Sequence, residues 1–205
     1  PYRLRGSSQP VRANKPQNQV RIIAGRWRGR RLTFAPVPGL RPTPDRVRET
    51  LFNWLGPVIA GTRCLDLYAG SGALGFEAAS RGAAAVLLVD SHTGVTDRLT
   101  EQVRMLEAGQ VRVLLADAGT YLQGKPQAWD VVFLDPPFRE GHLDRTIARL
   151  EDGGWLSAEA WIYLEAERGK ELDLPPNWAV HRSMTAGQVA CYLVRRTAGQ
   201  GQAAT

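Results

Sequence analysis

This 205-residue chain is short of cysteine, of long apolar runs and, over its first quarter, of acid. Only Cys64 and Cys191 occur, 127 positions apart, and His92, His142 and His181 share no metal-ligand spacing. That excludes a disulfide scaffold, assigns no metal to the chain and fits a reducing compartment. No apolar stretch approaches the ~20 residues that span a bilayer. Pro1 to Gln19 is too polar for a secretory signal. The expectation is a soluble, cytoplasmic protein with no membrane partner. The shortage of acid is local. Residues 1–48 hold 12 Lys/Arg against one acid, Asp45, while residues 49–205 hold 14 against 19, leaving a net charge of +6. Eleven of those 12 cations are arginine, whose guanidinium forks onto phosphate oxygens. A basic arm on a mildly acidic body is the footprint of nucleic-acid binding, although a solubilising tail has the same composition.

What is present is an ordinary core-forming composition, 43% hydrophobic and 22% charged, enough for one domain. Residues 1–19 read as a disordered basic arm. Residues 20–60 read as a hairpin-and-helix extension. In it Val20–Ala24 and Arg30–Phe34 are short strands around the turn Gly25-Arg-Trp-Arg-Gly29. Pro36, Pro38, Gly39 and Pro42 then forbid regular structure. Asp45 is placed to cap a helix with the apolar face Val47, Leu51, Trp54 and Leu55, which Gly56-Pro57 ends. From 61 to 196, apolar runs at Cys64–Tyr68, Ala85–Val89, Val111–Leu115, Val131–Leu134 and Trp161–Glu165 alternate with helical patterns. The latter lie near Ala73–Ser80, Val95–Glu107 and Leu143–Leu150. Unbroken apolar strands fit a parallel sheet buried on both faces, hence an α/β domain. Trp178–Ser183 and Val189–Arg195 read as an antiparallel hairpin, and 197–205 as a frayed tail.

Gly70, Gly72 and Gly75 form G-x-G-x-x-G after the first core strand, which serves either a nucleotide site or a tight strand-to-helix turn. Asp90 ends the second strand, where it accepts from ribose hydroxyls or caps a helix. Asp117 ends the third, where it meets an adenine amino group or caps the next short helix. Asp66, four residues before Gly70, repels a pyrophosphate and attracts an ammonium. That tilts the site from a dinucleotide towards S-adenosylmethionine. Tyr68, Ala69 and Ser71 complete the cofactor-binding set.

The fourth strand runs into Asp135-Pro136-Pro137-Phe138. The prolines fix the backbone and remove two N–H donors, leaving a rigid, acceptor-rich loop. The Asp135 carboxylate and the Pro136 carbonyl converge on one –NH2 group, and Phe138 stacks on its base. Two acceptors on the amine hydrogens direct the nitrogen lone pair at an electrophilic methyl. The catalytic set is therefore Asp135, Pro136, Pro137 and Phe138.

Residues 21–30, 39–53, 66–75, 135–138 and Ala186-Gly-Gln-Val189 together resemble the bacterial small-subunit rRNA guanine-N2 methyltransferases, the RsmD family. The resemblance runs from Val20 to Arg195. It implies a Rossmann-like class I methyltransferase sheet of order 3-2-1-4-5-7-6 with strand 7 antiparallel. It also implies S-adenosyl-L-methionine as cofactor and, as target, guanine 966 of 16S rRNA within an assembling 30S particle. A monomer is expected. Arg26, Arg28, Arg30 and Arg31 around Trp27 suit phosphate contact and stacking on RNA, or a basic flap over the cofactor. By resemblance, Arg41, Thr43, Asp45 and Arg46 line the cofactor or target pocket. Competing readings are a DNA-adenine or protein-glutamine amino-methyltransferase, a nicotinamide dehydrogenase and an RNA-binding assembly factor without chemistry.

Overall fold

Successive strand residues turn alternately to the two faces of a sheet, and here both faces are apolar. In the computed structural model, which describes residues 18–136 and 141–198, Cys64, Val131 and Phe133 enter one buried cluster. Their chain neighbours Leu65, Val132 and Leu134 enter another on the opposite face. This is why the sequence shows unbroken apolar runs rather than polar alternation.

The seven strands are β3 (Arg63–Asp66), β4 (Ala85–Asp90), β5 (Val111–Leu115), β6 (Trp129–Leu134), β7 (Leu156–Glu167), β8 (Trp178–Ala186) and β9 (Val189–Arg196). They lie in the order β5-β4-β3-β6-β7-β9-β8. β3 to β7 pair in parallel, and β9 runs antiparallel to both β7 and β8. Counted from β3, this is 3-2-1-4-5-7-6, the Rossmann-like methyltransferase order. β7 begins five residues before the expected run. Its register on β6 jumps between Trp129 and Val131, so Leu156–Ala160 belong to the strand without sharing its apolar pattern.

Among the described residues the helices are α1 (Asp45–Leu55), α2 (Ala73–Ser80), α3 (Thr93–Met105), α4 (Ala118–Tyr121) and α5 (His142–Asp152). The cap of α1 departs from expectation. Pro44 occupies the N-cap and Asp45 is the first helical residue. Its carboxylate there faces the positive end of the helix dipole and accepts from Arg48 Nη2 at 2.5 Å.

Two further strands, β1 (Gln19–Arg21) and β2 (Arg31–Thr33), form the expected antiparallel hairpin. The hairpin is not a free appendage. Val20, Ile22, Trp27, Leu32 and Phe34 are buried in the same cluster as α1, α2 and one face of the sheet. The segment 20–60 thus shares the core of the domain it was expected to extend. Polar bonds fix it as tightly. Glu77 of α2, fully buried, accepts from the amides of Ile23 at 2.8 Å and Ala24 at 3.0 Å. Gly25, at φ +81°, lies so close that a Cβ would sit 1.9 Å from the Ser80 carbonyl oxygen. Only glycine meets both demands.

Arg48, 1% exposed, completes this anchor. It donates to the carbonyls of Thr43 at 3.1 Å and Arg21 at 2.9 Å, and its Nη1 lies 3.6 Å from Glu77 Oε2. Arg81 Nε meets the other Glu77 oxygen at 2.7 Å. Removing the carboxylate leaves the Ile23 and Ala24 amides without their acceptor and takes from the buried Arg48 one of its two carboxylate partners. Glu77→Leu should therefore lower unfolding stability by about 3–5 kcal/mol. Urea titration checks this, and a loss below ~1 kcal/mol would contradict the anchor.

Candidate functional site

An acid stands at or near the carboxyl end of each of five adjacent strands. Asp117 follows β5, Asp90 ends β4, Asp66 ends β3, Asp135 follows β6 and Glu165 lies near the end of β7. At ~4.8 Å between strands the row spans roughly 19 Å. A cleft of about 960 Å³ runs along it, lined by all five acids and by Val37–Pro44. It sits beside β3, where the strand order reverses, the place where open α/β sheets bind ligands. A row of acids disfavours phosphate there and favours N–H, O–H and cationic groups.

The glycine loop is tied down from both sides. Asp90 Oδ2 accepts from the Gly70 amide at 2.9 Å, and its Oδ1 accepts from the His92 amide at 2.9 Å. Each oxygen keeps a second lone pair for a ligand. Asp66 Oδ2 accepts from the Gly75 amide at 3.2 Å. Gly75 itself packs on β4, where a Cβ would stand 2.2 Å from Leu88 Cδ2. The buried Ser71 accepts from the Ala73 amide at 3.3 Å, and the Ala69 amide donates to the Val89 carbonyl at 2.9 Å. Gly72 donates to the Ala69 carbonyl at 2.7 Å and leads into α2. The Tyr68 hydroxyl lies 3.1 Å from Thr146 Oγ1, and its ring meets His142 edge-on. Asp117 caps α4 by accepting from the Thr120 amide at 3.1 Å, so the capping alternative is realised while the residue also faces the cleft.

Burial pushes the Asp66 carboxyl up to about 7, against the lowering effect of the Gly75 amide and with help from the negative Asp90. Asp135 is pushed up to about 8, by burial first and then by Glu165 and Asp66. Pro136 is buried beside it in the cleft wall. Pro137 and Phe138 lie outside the described residues.

Glu165 escaped the sequence reading. It stands 8% exposed in the cleft wall, accepts from the Tyr163 hydroxyl at 2.7 Å, and hydrogen-bonds the Asp135 carboxyl. The only signal was an acid closing the apolar run Trp161–Glu165.

Arg26, Arg28, Arg30 and Arg31 are exposed, as phosphate contact requires. Trp27 is corrected: it is 6% exposed, its ring belongs to the core, and it presents no stacking face to RNA. A hydrogen bond from its amide to Ser80 Oγ at 2.9 Å turns the residue inward. The flap reading of the hairpin is also overturned. The turn is bonded to Ser80, about 12 Å along α2 from the glycine loop, and no described residue before Val37 lines the cleft. Arg41 and the buried Thr43 do line it, whereas Asp45 and Arg46 do not.

A family model described as conserved hypothetical protein 95 matches residues 20–195. The ribosomal RNA small subunit methyltransferase D of Escherichia coli K12 is 52% identical over 185 residues, 90% of this chain and 93% of that protein. Its counterpart in Haemophilus influenzae is 42% identical, covering 88% and 95%. This chain belongs to the RsmD family of rRNA methyltransferases. A solved Escherichia coli structure, 52% identical, superposes on the RsmD-type fold described here with a TM-score of 0.82. It covers 89% of this chain and 100% of that one. An RNA methyltransferase of Salinibacter ruber in complex with S-adenosyl-L-homocysteine, 18% identical, shares the fold at a TM-score of 0.59, covering 79% and 96%. The span matched to the RsmD family takes in the hairpin and all five acids of the cleft.

The raised Asp66 carboxyl has a consequence for stability. Its folded value of about 7 exceeds its ordinary 3.8. The folded state therefore holds a proton that the unfolded chain has lost, and the contribution falls away as pH rises through that window. Asp66→Asn keeps an acceptor for Gly75 but cannot ionise. Its stability relative to wild type should improve by about 2–3 kcal/mol between pH 5 and pH 8. Denaturant titrations at the two pH values check this, and a relative stability that stays flat would contradict it.

Proposed function

We propose that the chain transfers a methyl group from S-adenosyl-L-methionine to the exocyclic N2 of a guanine in 16S rRNA, guanine 966 in conventional numbering, within an assembling 30S particle. The names of its relatives support small-subunit rRNA as the substrate. The observation that carries the chemistry is the placement of Asp135 and Pro136 one strand from the glycine loop, in the wall of one continuous cleft.

The cleft's set of acceptors fits the cofactor. Asp90 accepts from the ribose hydroxyls through its remaining lone pairs, and Asp117 stands within the same cleft for the adenine amino group. Gly70 bares backbone to the ligand, and Asp66 ties the loop from below through the Gly75 amide. Bound there, the cofactor supplies an electrophilic methyl group on a sulfonium. β3 and β6 are neighbours, so the loop after β3 and Asp135 after β6 lie about one strand spacing apart, ~4.8 Å. Methyl transfer is an in-line displacement, and holding the reacting atoms ~3–3.5 Å apart supplies much of the rate. Asp135 and the Pro136 carbonyl take the two amine hydrogens, and Phe138 fixes the base plane. The exposed Arg26, Arg28, Arg30, Arg31 and Arg46 contact phosphates outside the cleft. In this reading the protein acts as a cytoplasmic monomer.

A DNA-adenine or protein-glutamine methyltransferase would use the same loop, and a comparison of 30S particles with DNA as substrates separates them. Asp135→Ala leaves the amine with one acceptor. We expect kcat to fall at least ~100-fold, with cofactor affinity nearly unchanged by calorimetry. Asp135→Asn keeps an acceptor and should retain more activity than the alanine variant. An asparagine variant as inactive as alanine would show that charge, not acceptor geometry, governs the step.

A further inference from the structure

Glu165 is a buried acid that the methyl-transfer scheme above leaves without work. Its position is well determined. The Tyr163 hydroxyl donates to Oε1 at 2.7 Å, and Thr43 Oγ1 donates to the same atom at 3.5 Å. Tyr163 is itself fully buried, its ring edge-on to that of Phe133 on the neighbouring β6, and it hydrogen-bonds the Cys191 thiol. The two bonds to Oε1 come from β7 and the loop before α1, and Cys191 of β9 braces Tyr163 in turn, so Glu165 cannot swing out of the wall without breaking both bonds.

What faces the pair is almost wholly neutral or negative. From β7 come Tyr163 and Glu165, from β9 Cys191, and from the end of β3 Asp66, with Asp90 behind it. From the loop before α1 come Thr43 and the exposed Arg41, and from α5 comes His142, all lining the same cleft. No salt bridge to Asp135 or Glu165 occurs among the described residues. Two carboxyls hydrogen-bonded to one another cannot both be charged cheaply, so they share one proton and titrate as a unit. Both are accordingly raised, burial being the largest cause in each.

We propose that Glu165 is a positioning residue for methyl transfer: it holds one Asp135 oxygen through the shared hydrogen bond and so turns the other oxygen to the target amine. This rests on the amine-directed reading given above. The pair then also supplies the place for the departing proton. As the amine nitrogen bonds the methyl carbon, the electrons of the breaking carbon–sulfur bond stay on sulfur and the nitrogen becomes cationic. The nitrogen gives a proton to the free Asp135 oxygen, while the proton already on Asp135 passes to Glu165. The pair ends neutral with two protons, one of which is returned to water before the next turnover. The active form is the singly protonated pair.

Glu165→Gln tests this, because glutamine keeps an oxygen for Tyr163 and an N–H for Asp135 but has neither charge nor a site for the proton. With 30S particles as substrate, single-turnover rates of the wild type should be bell-shaped in pH, with the alkaline limb near pH 8. The variant should lose at least tenfold in rate at pH 7 and lack that alkaline limb. Its affinity for S-adenosylhomocysteine should stay within twofold. Tyr163→Phe, which keeps both carboxyls but loosens Glu165, should lower the rate while retaining the bell shape. A Glu165→Gln profile that keeps the wild-type shape and rate overturns the proposal. If Glu165→Gln does not fold, a Tyr163→Phe rate equal to wild type overturns it. A wild-type protein that places no methyl on guanine N2 overturns the earlier reading instead.

Discussion

The buried carboxylate of Glu77 is the constraint on which the placement of the site depends. It gathers two amides of the hairpin, the Arg48 guanidinium and Arg81 onto a single helix. Arg48 in turn holds the Thr43 carbonyl, and Thr43 reaches Glu165 in the cleft wall. A chain of polar contacts therefore runs from the core of the amino-terminal segment to the acids of the site. The linker Val37–Pro44 is rich in proline and makes no regular structure of its own. It becomes part of the cleft because both of its ends are fixed, one by the hairpin and the other by α1.

The molecule also separates its charges by task. Five of its acids are gathered along the carboxyl edge of the sheet, where they offer acceptors to N–H and O–H groups and disfavour phosphate. The exposed Arg26, Arg28, Arg30, Arg31 and Arg46 stand outside that edge, on the hairpin and at the start of α1. In the proposed reading, those arginines hold an RNA by its backbone while one base enters the acidic cleft. The single long linker separates the two regions, and β3 with its glycine loop marks the border between the two halves of the cleft.

Much of this was legible in the residues. Apolar runs without alternation gave the doubly covered parallel sheet, because both faces of β3 and β6 meet buried clusters. Asp90 and Asp135 could be picked out because strand ends in such a sheet face a ligand. The errors came where local pattern and tertiary contact disagree. Trp27 sits among four arginines and looks like a surface aromatic, yet a bond from its amide to Ser80 turns it into the core. Leu156–Ala160 carry no strand pattern, and they join β7 through Leu156 on Trp129 of β6 and Ala160 on Arg196 of β9. Glu165 was hidden for another reason. Besides Tyr163, its partners are 30 and 122 positions away, at Asp135 and Thr43, and no local spacing reports them.

The central claim is that one guanine of the small-subunit rRNA receives a methyl group on N2. The direct measurement uses small-subunit particles from cells lacking this protein, incubated with it and with methyl-labelled S-adenosylmethionine. Mass spectrometry of the digested rRNA then locates the label. The account predicts one N2-methylguanosine per particle at a single position, with DNA left unlabelled. Label on adenine, on a ribosomal protein or nowhere at all would contradict it.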